Sequence, residues 1–176
     1  FFYTLQDENH RPLKTFHHVL GTPQSADRLV YEETDTGKFT GVGLTHSERF
    51  IVISSHDHDT SEAWIIDAAK PLDAPKLIAA REAGIEYDLE HWNDAFIIKT
   101  NRDGAEDYKI MTTPVDKPSP ENWMDLIAYR EGCFLVGMIV LKNWLSRRER
   151  ENALPRIVVR DMATGEEHAI AFDEEA

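Results

Sequence analysis

One short segment combines side chains that could bind a metal or move a proton. His56, Asp57, His58 and Asp59 follow one another, and imidazoles and carboxylates are both ligands of divalent metal ions. A structural zinc site needs four fixed ligands with supporting hydrogen bonds, and the sequence has no second cluster of His and Cys to complete one. The segment is therefore either a metal site or a solvated loop tip that lines a cavity. We favour the loop and expect neither a metal nor another cofactor.

The motifs of several common enzyme chemistries are missing from the sequence. The nucleophilic serine of an α/β-hydrolase usually lies in G-x-S-x-G, and none of the seven serines lies in that pattern. Walker A, G-x-G-x-x-G, H-E-x-x-H and EF-hand patterns are also absent. We therefore predict that these 176 residues alone are catalytically inactive.

Length, charge and cysteine content narrow the class of protein. A chain of 176 residues with 41% hydrophobic residues suits one globular domain. Its formal net charge of −13 disfavours nucleic acid and anionic membranes and favours cationic partners, although such charge also keeps a surface solvated. The longest apolar run, Phe134–Leu141, is far shorter than the ~20 residues that cross a bilayer. The single cysteine, Cys133, excludes an intramolecular disulfide and suits a reducing compartment, so we expect a cytoplasmic protein.

Strand-like runs recur with a period of about 47 residues, which decides the fold class. The runs begin at Phe2, Phe50, Phe96 and Trp144, and each is followed by two more runs rich in β-branched and aromatic residues. A fourth such stretch leads into each unit except the first, and four strands per repeat are typical of a β-propeller blade. We predict an all-β partial propeller of 15 antiparallel strands in four blades, with the first blade lacking its inner strand. The blades lie at approximately 1–36, 37–82, 83–131 and 132–176.

Two segments have local features of helices. Ser119–Ile127 begins with a possible N-cap followed by Pro, and Trp144–Glu151 is rich in charged residues. The register of the repeats favours strands in both, with at most a short turn near Ser119–Asn122.

Several aromatic and imidazole side chains have two possible roles. Trp64, Trp123 and Trp144 lie in strand-like runs, and we expect the tryptophans, Trp92 included, to pack in the core rather than form a carbohydrate or peptide platform. His17-His18 lies in a strand, so one of the two points inward, and we expect a hydrogen-bonded structural histidine there.

A long segment resembles a known family of peptidases. His18–Glu33 follows the pattern H-x-L-G-T-x-Q-S-x-D-x-L-V-x-E-E of the prolyl oligopeptidase family. Three more segments resemble the family in the same order, so the resemblance spans essentially the whole chain: Arg49–Ser54, Phe96–Arg102 and Arg160–Gly165. Within the family, three segments look most like the oligopeptidase B branch: Glu86–His91, Asn101–Ala105 and Trp123–Ile127.

The resemblance implies a serine peptidase in which a seven-bladed propeller caps an α/β-hydrolase domain and admits only short peptides. In the oligopeptidase B branch, those peptides are cleaved after Lys or Arg. The hydrolase domain that carries the family's Ser, Asp and His is not in this sequence, so no catalytic residue is assigned. The chain starts at Phe1 without an initiator Met or a signal sequence and stops abruptly at Asp173–Ala176, and we interpret it as a segment of a longer protein that filters substrates for the hydrolase domain.

In such a parent protein, the loops between the second and third strands of each blade lie on the face that meets the hydrolase domain. These loops are predicted at Gln6–Pro12, His56–Glu62, Asn101–Asp107 and Glu149–Pro155. Acidic residues outnumber basic ones in them, and the candidate substrate-facing residues are Asp57, His58, Asp59, Glu62, Asp103 and Glu106. A net acidic face would attract peptides bearing Lys or Arg over a Debye length of about 8 Å. The alternative is that these loops are simply polar.

Two other classes of function compete with this interpretation. One is a free-standing propeller-type binding or scaffold module, and the other is a metal-dependent enzyme that uses His56 and His58. We expect the hydrolase domain of the same chain and short basic peptides as partners, and neither nucleic acid nor membrane. We also expect the isolated segment to self-associate through open blade flanks and an unpaired strand edge around Phe1–Thr4.

Overall fold

The computed structural model describes residues 1–171. Fifteen β-strands and three short 3-10 helices, Gln24–Ala26, Arg102–Gly104 and Pro120–Asn122, form this part of the chain. The strands are β1 Phe2–Gln6, β2 Pro12–His17, β3 Arg28–Glu32, β4 Phe39–Leu44, β5 Phe50–His56, β6 Ser61–Asp67, β7 Lys76–Ala79, β8 Tyr87–Trp92, β9 Ala95–Thr100, β10 Lys109–Pro114, β11 Met124–Ile127, β12 Cys133–Val140, β13 Trp144–Glu151, β14 Leu154–Asp161 and β15 Glu167–Ala169.

The strands form four antiparallel sheets in which neighbours along the chain are neighbours in the sheet. The first sheet contains β1 to β3, and the others contain β4 to β7, β8 to β11 and β12 to β15. The prediction of an all-β chain with 15 strands and a three-stranded first sheet is confirmed. The 3-10 turn Pro120–Asn122 and strand β13 also confirm that repeat register outweighs local helical features. Phe172, the last residue of the run predicted for the final strand, lies outside the described residues.

The chain divides into two compact units, Phe1–Ile85 and the remainder from Glu86 onward. In the first unit, the core is formed by side chains of β5 and β6, Ile51, Ile53 and Ile66. Phe2 and Tyr31 of the first sheet and Trp64 of the second pack against it. Successive side chains point to opposite faces of a strand. The side chains on the face toward this core are buried between the two sheets, and their apolar burial holds the sheets together.

The second unit has a core of its own, built by β9 and β10 of the third sheet and by β12 and β13 of the fourth. Its buried members are Ile97, Ile110, Leu135, Val140 and Leu145. Three of them, Ile97, Ile110 and Leu145, are at most 1% exposed. The two sheets of this unit are therefore held by the same face-to-face apolar packing as those of the first. No helix among residues 1–171 is long and apolar enough to span a membrane.

The tryptophans divide between core and surface. Trp123 is buried, and its indole donates to the Pro118 carbonyl at 2.8 Å, while Trp64 packs against Tyr31 in a tilted arrangement with ring centroids 4.3 Å apart. Trp92 packs partly buried against the core of the second unit. The expectation of core packing is wrong for Trp144, which is 41% exposed, because it precedes the inward-facing Leu145 by one residue and points to the opposite face of β13.

His18 is the structural histidine of the pair, although it lies one residue beyond β2 rather than in the strand. Its Nδ1 is 2.6 Å from Asp27 Oδ1, and Tyr3 donates its hydroxyl to Asp27 Oδ2 at 2.7 Å. His17 lies in β2, and burial lowers the pKa of its imidazole. The hydrogen bond between His18 and Asp27 closes the loop between β2 and β3.

Candidate functional site

The loop between β5 and β6 carries three of the predicted substrate-facing residues, Asp57, His58 and Asp59. Asp57 Oδ1 accepts hydrogen bonds from the backbone amides of Asp59 at 3.1 Å and of Thr60 at 2.9 Å. The amide of Asp57 donates to the Thr60 carbonyl at 3.1 Å. Short acceptor side chains close tight turns in this way, and the turn leaves His58 and Asp59 exposed at its tip.

Asp57 also forms an ion pair with a lysine from the linker between the first two sheets. Lys38 Nζ lies 2.5 Å from Asp57 Oδ2, and only 6% of the lysine side chain is exposed. The hydrogen bond from Lys38, together with those from the two backbone amides, holds the pKa of Asp57 below its ordinary value. The carboxylate is therefore ionised, and a cation of this same chain neutralises it.

Glu62, the fourth predicted residue, lies in β6 and is buried, which corrects its expected place in a surface loop. The physical reason is its partner, Arg81. Arg81 Nε donates to Glu62 Oε1 at 2.8 Å, its backbone amide donates to Oε2 at 3.0 Å, and its Nη2 also contacts Oε1. The planar guanidinium offers several donors at once, so it can satisfy a carboxylate that has lost its water.

The same guanidinium holds Glu33, which lies just after β3. Glu33 Oε2 accepts hydrogen bonds from Arg81 Nη2 at 2.7 Å, from Ser55 Oγ at 2.5 Å and from the Tyr31 hydroxyl at 2.9 Å. Burial opposes ionisation of Glu33, but the hydrogen bonds from Arg81, Ser55, the Asp35 amide and Tyr31 outweigh it and lower its pKa to about 2. Burial and the neighbouring carboxylate raise the pKa of Tyr31, whose phenol stays neutral.

In the second unit, the loop between β9 and β10 carries the remaining predicted residues, Asp103 and Glu106. Asp103 Oδ2 lies 3.1 Å from Lys109 Nζ, and Asp125 Oδ1 of β11 lies 2.8 Å from the same nitrogen. Burial tends to lower the pKa of Lys109, but the two carboxylates outweigh it and raise the pKa. Asp103 is thus paired with a buried cation. Glu106 is exposed and has no ion pair within residues 1–171.

Tyr108 fixes the end of this second loop. Its φ of +66° is a rare conformation for an aromatic residue. The hydroxyl donates to Glu86 Oε1 at 2.6 Å, Lys99 Nζ lies 4.2 Å from the ring centroid, and the ring packs edge-on against Phe134. Strained backbone persists where surrounding contacts determine it, so these contacts hold the loop in one conformation.

The loop predicted at Glu149–Pro155 is shorter in the structure. Strands β13 and β14 continue to Glu151 and from Leu154, and only Asn152 and Ala153 connect them. Glu149 is buried in β13, where its Oε1 accepts from Arg147 Nε at 2.5 Å. Side chains alternate along β13, so Leu145, Arg147 and Glu149 point to one face. The charged residue Glu149, which suggests a loop in the sequence, therefore forms an ion pair with Arg147 inside the sheet.

The six candidate residues therefore fall into two classes. Asp57, Glu62 and Asp103 are ion-paired to cations of their own unit. His58, Asp59 and Glu106 are exposed and have no ion pair within residues 1–171, whereas Asp103 is exposed and ion-paired. Sequence reasoning missed the partner cations Lys38, Arg81 and Lys109. Two of these lie 19 residues from the carboxylate they bind, and no local pattern marks such a pair, whereas Lys109 lies only 6 residues from Asp103.

The candidate residues contribute charges and hydrogen bonds to the loops and strands that carry them. Within residues 1–171, no group of three or more His, Cys, Asp or Glu side chains could hold a metal ion. Asp103 is exposed but lies beside Lys109, so among residues 1–171 the exposed candidate carboxylates without a lysine partner are Asp59 and Glu106. Each of them sits on a loop whose neighbouring carboxylate is fixed by a buried lysine.

Comparisons with known proteins give a consistent result. The family model described as the prolyl oligopeptidase N-terminal β-propeller domain matches residues 1–176. The chain is 38% identical over 159 residues to dipeptidyl aminopeptidase BI of Pseudoxanthomonas mexicana, which covers 90% of this chain and 22% of that protein. It is 35% identical over 174 residues to Protease 2 of Moraxella lacunata, which covers 98% of this chain and 24% of that protein.

Solved structures agree with these matches. Oligopeptidase B from Leishmania major superposes with a TM-score of 0.90 at 26% identity, over 98% of this chain and 25% of that one. Oligopeptidase B from Trypanosoma brucei with covalently bound antipain, in its closed form, gives a TM-score of 0.91 at 24% identity, over 98% of this chain and 26% of that one. The four sheets thus match part of a β-propeller, as predicted, and the chain spans about a quarter of the length of these relatives. Homologues carry the propeller and a catalytic domain in one chain.

Proposed function

Because this chain belongs to the prolyl oligopeptidase family, as part of its N-terminal propeller domain, we propose that it filters substrates for an oligopeptidase B-like serine endopeptidase that hydrolyses short peptides after Lys or Arg. The observation that carries the proposal is the match to oligopeptidase B from Leishmania major, with a TM-score of 0.90 at 26% identity. The propeller itself takes no part in bond cleavage. Its partner is the catalytic domain of the same chain, and the compartment is the cytoplasm.

The exposed carboxylates give this filter a physical mechanism. Asp59 and Glu106 lie on loops between the second and third strands of their sheets. In a propeller, all such loops lie on one face, which in this proposal is the face that meets the catalytic domain. Negative charge on that face raises the local concentration of cationic peptides and speeds their association. The effect is screened by salt, since the Debye length falls from about 30 Å at 0.01 M to about 3 Å at 1 M.

The test uses the full-length protein and three fluorogenic peptides of equal length. One has a blocked amino terminus and Arg before the scissile bond, the second replaces that Arg with Pro, and the third carries Arg after a free amino-terminal residue. The proposal expects the blocked Arg peptide to be cleaved, with kcat/KM well above that of the Pro peptide. Preference for Pro, or no cleavage of either blocked peptide, contradicts it.

A second candidate activity is removal of dipeptides from a free amino terminus. It is favoured by the 38% identity to a protein named dipeptidyl aminopeptidase BI. An exopeptidase of this kind must bind the terminal ammonium, so it cleaves the third peptide and leaves the blocked Arg peptide intact. The two activities are therefore separated by the amino-terminal block alone.

A further inference from the structure

We propose that Arg81 is a positioning residue of the substrate-filtering face, which holds the Asp59 carboxylate in place from a distance. The inference rests on the proposed function for its effect on substrates, and on contacts within the first unit for its geometry. Arg81 lies in the linker between β7 and β8. It touches neither His58 nor Asp59, the exposed tip of the loop between β5 and β6; its contacts are with Glu33 and Glu62.

The first step is that Arg81 joins three separate segments at one point. Its guanidinium binds Glu62 of β6 and Glu33 of the linker between the first two sheets. Both carboxylates are almost fully buried, with 8% and 3% of their side chains exposed. Two buried carboxylates share one cation, so removal of the guanidinium leaves both without it, although Glu33 keeps its hydrogen bonds from Ser55 and Tyr31. The segment that follows Arg81 is thereby fixed against β6.

The second step is a hydrogen-bond relay from that segment to the loop tip. The amide of Gly84 donates to Thr60 Oγ1 at 3.2 Å, and the Thr60 hydroxyl donates to Asp59 Oδ1 at 2.8 Å. Beside this relay, the Ser61 amide donates to the Ile85 carbonyl at 3.1 Å. The orientation of the Asp59 carboxylate therefore depends on where residues 84 and 85 lie, and Arg81 determines that position.

The third step is that the relay needs a guanidinium rather than any cation. The Arg81 guanidinium uses Nε and Nη2 on Glu62 and Nη2 on Glu33. A lysine ammonium is a point charge on a flexible stem, and it does not present donors in a planar fork to two carboxylates. Arg81→Lys keeps the charge and loses the geometry, so it separates a positioning role from a merely electrostatic one.

The experiment measures kcat/KM of the full-length protein for the blocked Arg peptide at low salt, in a double-mutant cycle of Arg81→Ala and Asp59→Asn. We expect Asp59→Asn to lower kcat/KM about threefold through weaker steering. Arg81→Ala and Arg81→Lys should each give a similar loss. The double variant should lose no more than either single variant, because both act through one carboxylate. Losses that multiply, or native kcat/KM in Arg81→Ala, overturn the inference.

Two further variants guard against a trivial loss of folding. Thr60→Val removes the relay hydroxyl with little change in volume and should reproduce the loss seen in Arg81→Ala. Arg28→Ala is the matched control, because Arg28 also braces a loop of the first unit, through the carbonyls of Pro71, Leu72 and Asp73. Arg28→Ala should leave kcat/KM unchanged, and a loss equal to that of Arg81→Ala overturns the inference.

Hydrogen exchange provides a readout that does not depend on the peptide. In Arg81→Ala the amides of Gly84 and Ser61 should exchange faster, because they donate within the relay and beside it, while in Arg28→Ala they should keep their protection. Failure of the proposed function shows as a wild-type enzyme without preference for Arg. Failure of the positioning role shows instead as unchanged exchange at Gly84 and Ser61, or as losses of kcat/KM that multiply in the double variant of an enzyme that prefers Arg.

Discussion

Glu33 is the residue at which burial and ionisation are most directly opposed. Its side chain is 3% exposed, yet it stays ionised because Arg81, Ser55 and Tyr31 all donate to it. When a buried acceptor loses its negative charge, the groups that donate to it keep only weaker hydrogen bonds or none. The stability of the first unit should therefore depend on this one carboxylate more than on any exposed ion pair.

We predict that Glu33→Gln lowers the free energy of unfolding by about 3 kcal/mol at pH 7, the value that corresponds to a pKa lowered from 4.5 to about 2. Urea denaturation followed by tryptophan fluorescence measures it. Glu32→Gln is the control, since Glu32 pairs with Lys14 on the surface with both side chains over 40% exposed, and its expected effect is within about 0.5 kcal/mol. Equal effects of the two substitutions would show that the buried contacts of Glu33 with Arg81, Ser55 and Tyr31 contribute no more to stability than an exposed ion pair does.

The same residue predicts a pH dependence of stability. The pKa of Glu33 falls from 4.5 to about 2 on folding, so the folded state binds the proton more weakly than the unfolded state. The contribution of the ionised group is complete above about pH 4.5 and is lost as the pH falls toward 2. The stability difference between wild type and Glu33→Gln should shrink over that interval. A constant difference from pH 6 to pH 3 would contradict the assignment.

At the scale of elements, the turn between β13 and β14 contains a residue whose type does not suit its backbone conformation. Asn152 and Ala153 form a two-residue connection, and both have positive φ, +51° and +66°. This is the pattern of a type I′ turn, which favours Asn followed by Gly. Asn152 tolerates the left-handed region, whereas the Cβ of Ala153 makes it costly.

Ala153→Gly should therefore raise the free energy of unfolding by about 1 kcal/mol, despite the greater freedom that glycine gives to the unfolded chain. Ala163→Gly is the matched control in an exposed turn whose φ is not positive, and it should lower stability by about 0.5 kcal/mol. The two substitutions are predicted to move the urea midpoint in opposite directions. A shift of the same sign for both would contradict this interpretation of the turn.

The strands could be predicted from the sequence, whereas the ion pairs of the candidate site could not. Strand spacing is a property of short runs, so the period that begins at Phe2, Phe50, Phe96 and Trp144 indicates 15 strands without knowledge of contacts. The partners of buried charges are set by tertiary packing. A loop rich in acidic residues looks the same in the sequence whether its carboxylates face solvent, as Asp59 does, or bind a cation of the same unit.

At the scale of the whole molecule, the first sheet has three strands in the described part of the chain, and it lacks the strand that in each of the other three sheets pairs with the counterpart of β1. In the second, third and fourth sheets, β5, β9 and β13 each lie between two neighbours, whereas β1 pairs only with β2 among residues 1–171. Leu5 of β1 and Leu29 of β3 share one face of this sheet, and both are 44% exposed. Unpaired strand edges beside apolar surface recruit further strands.

We predict that these 176 residues, produced alone, form a dimer at micromolar concentration. Burial of about 800 Å² on each partner is typical of a stable interface, and the open edge and apolar face of the first sheet are the surface expected to supply it. Leu5→Lys places a charge on the edge strand and should shift the equilibrium toward monomer, whereas Leu77→Lys, a substitution of another exposed leucine in β7 of the second sheet, should not. Sedimentation equilibrium decides the matter, because a mass that stays at 20.2 kDa across the concentration range would show that the edge of β1 recruits no second chain.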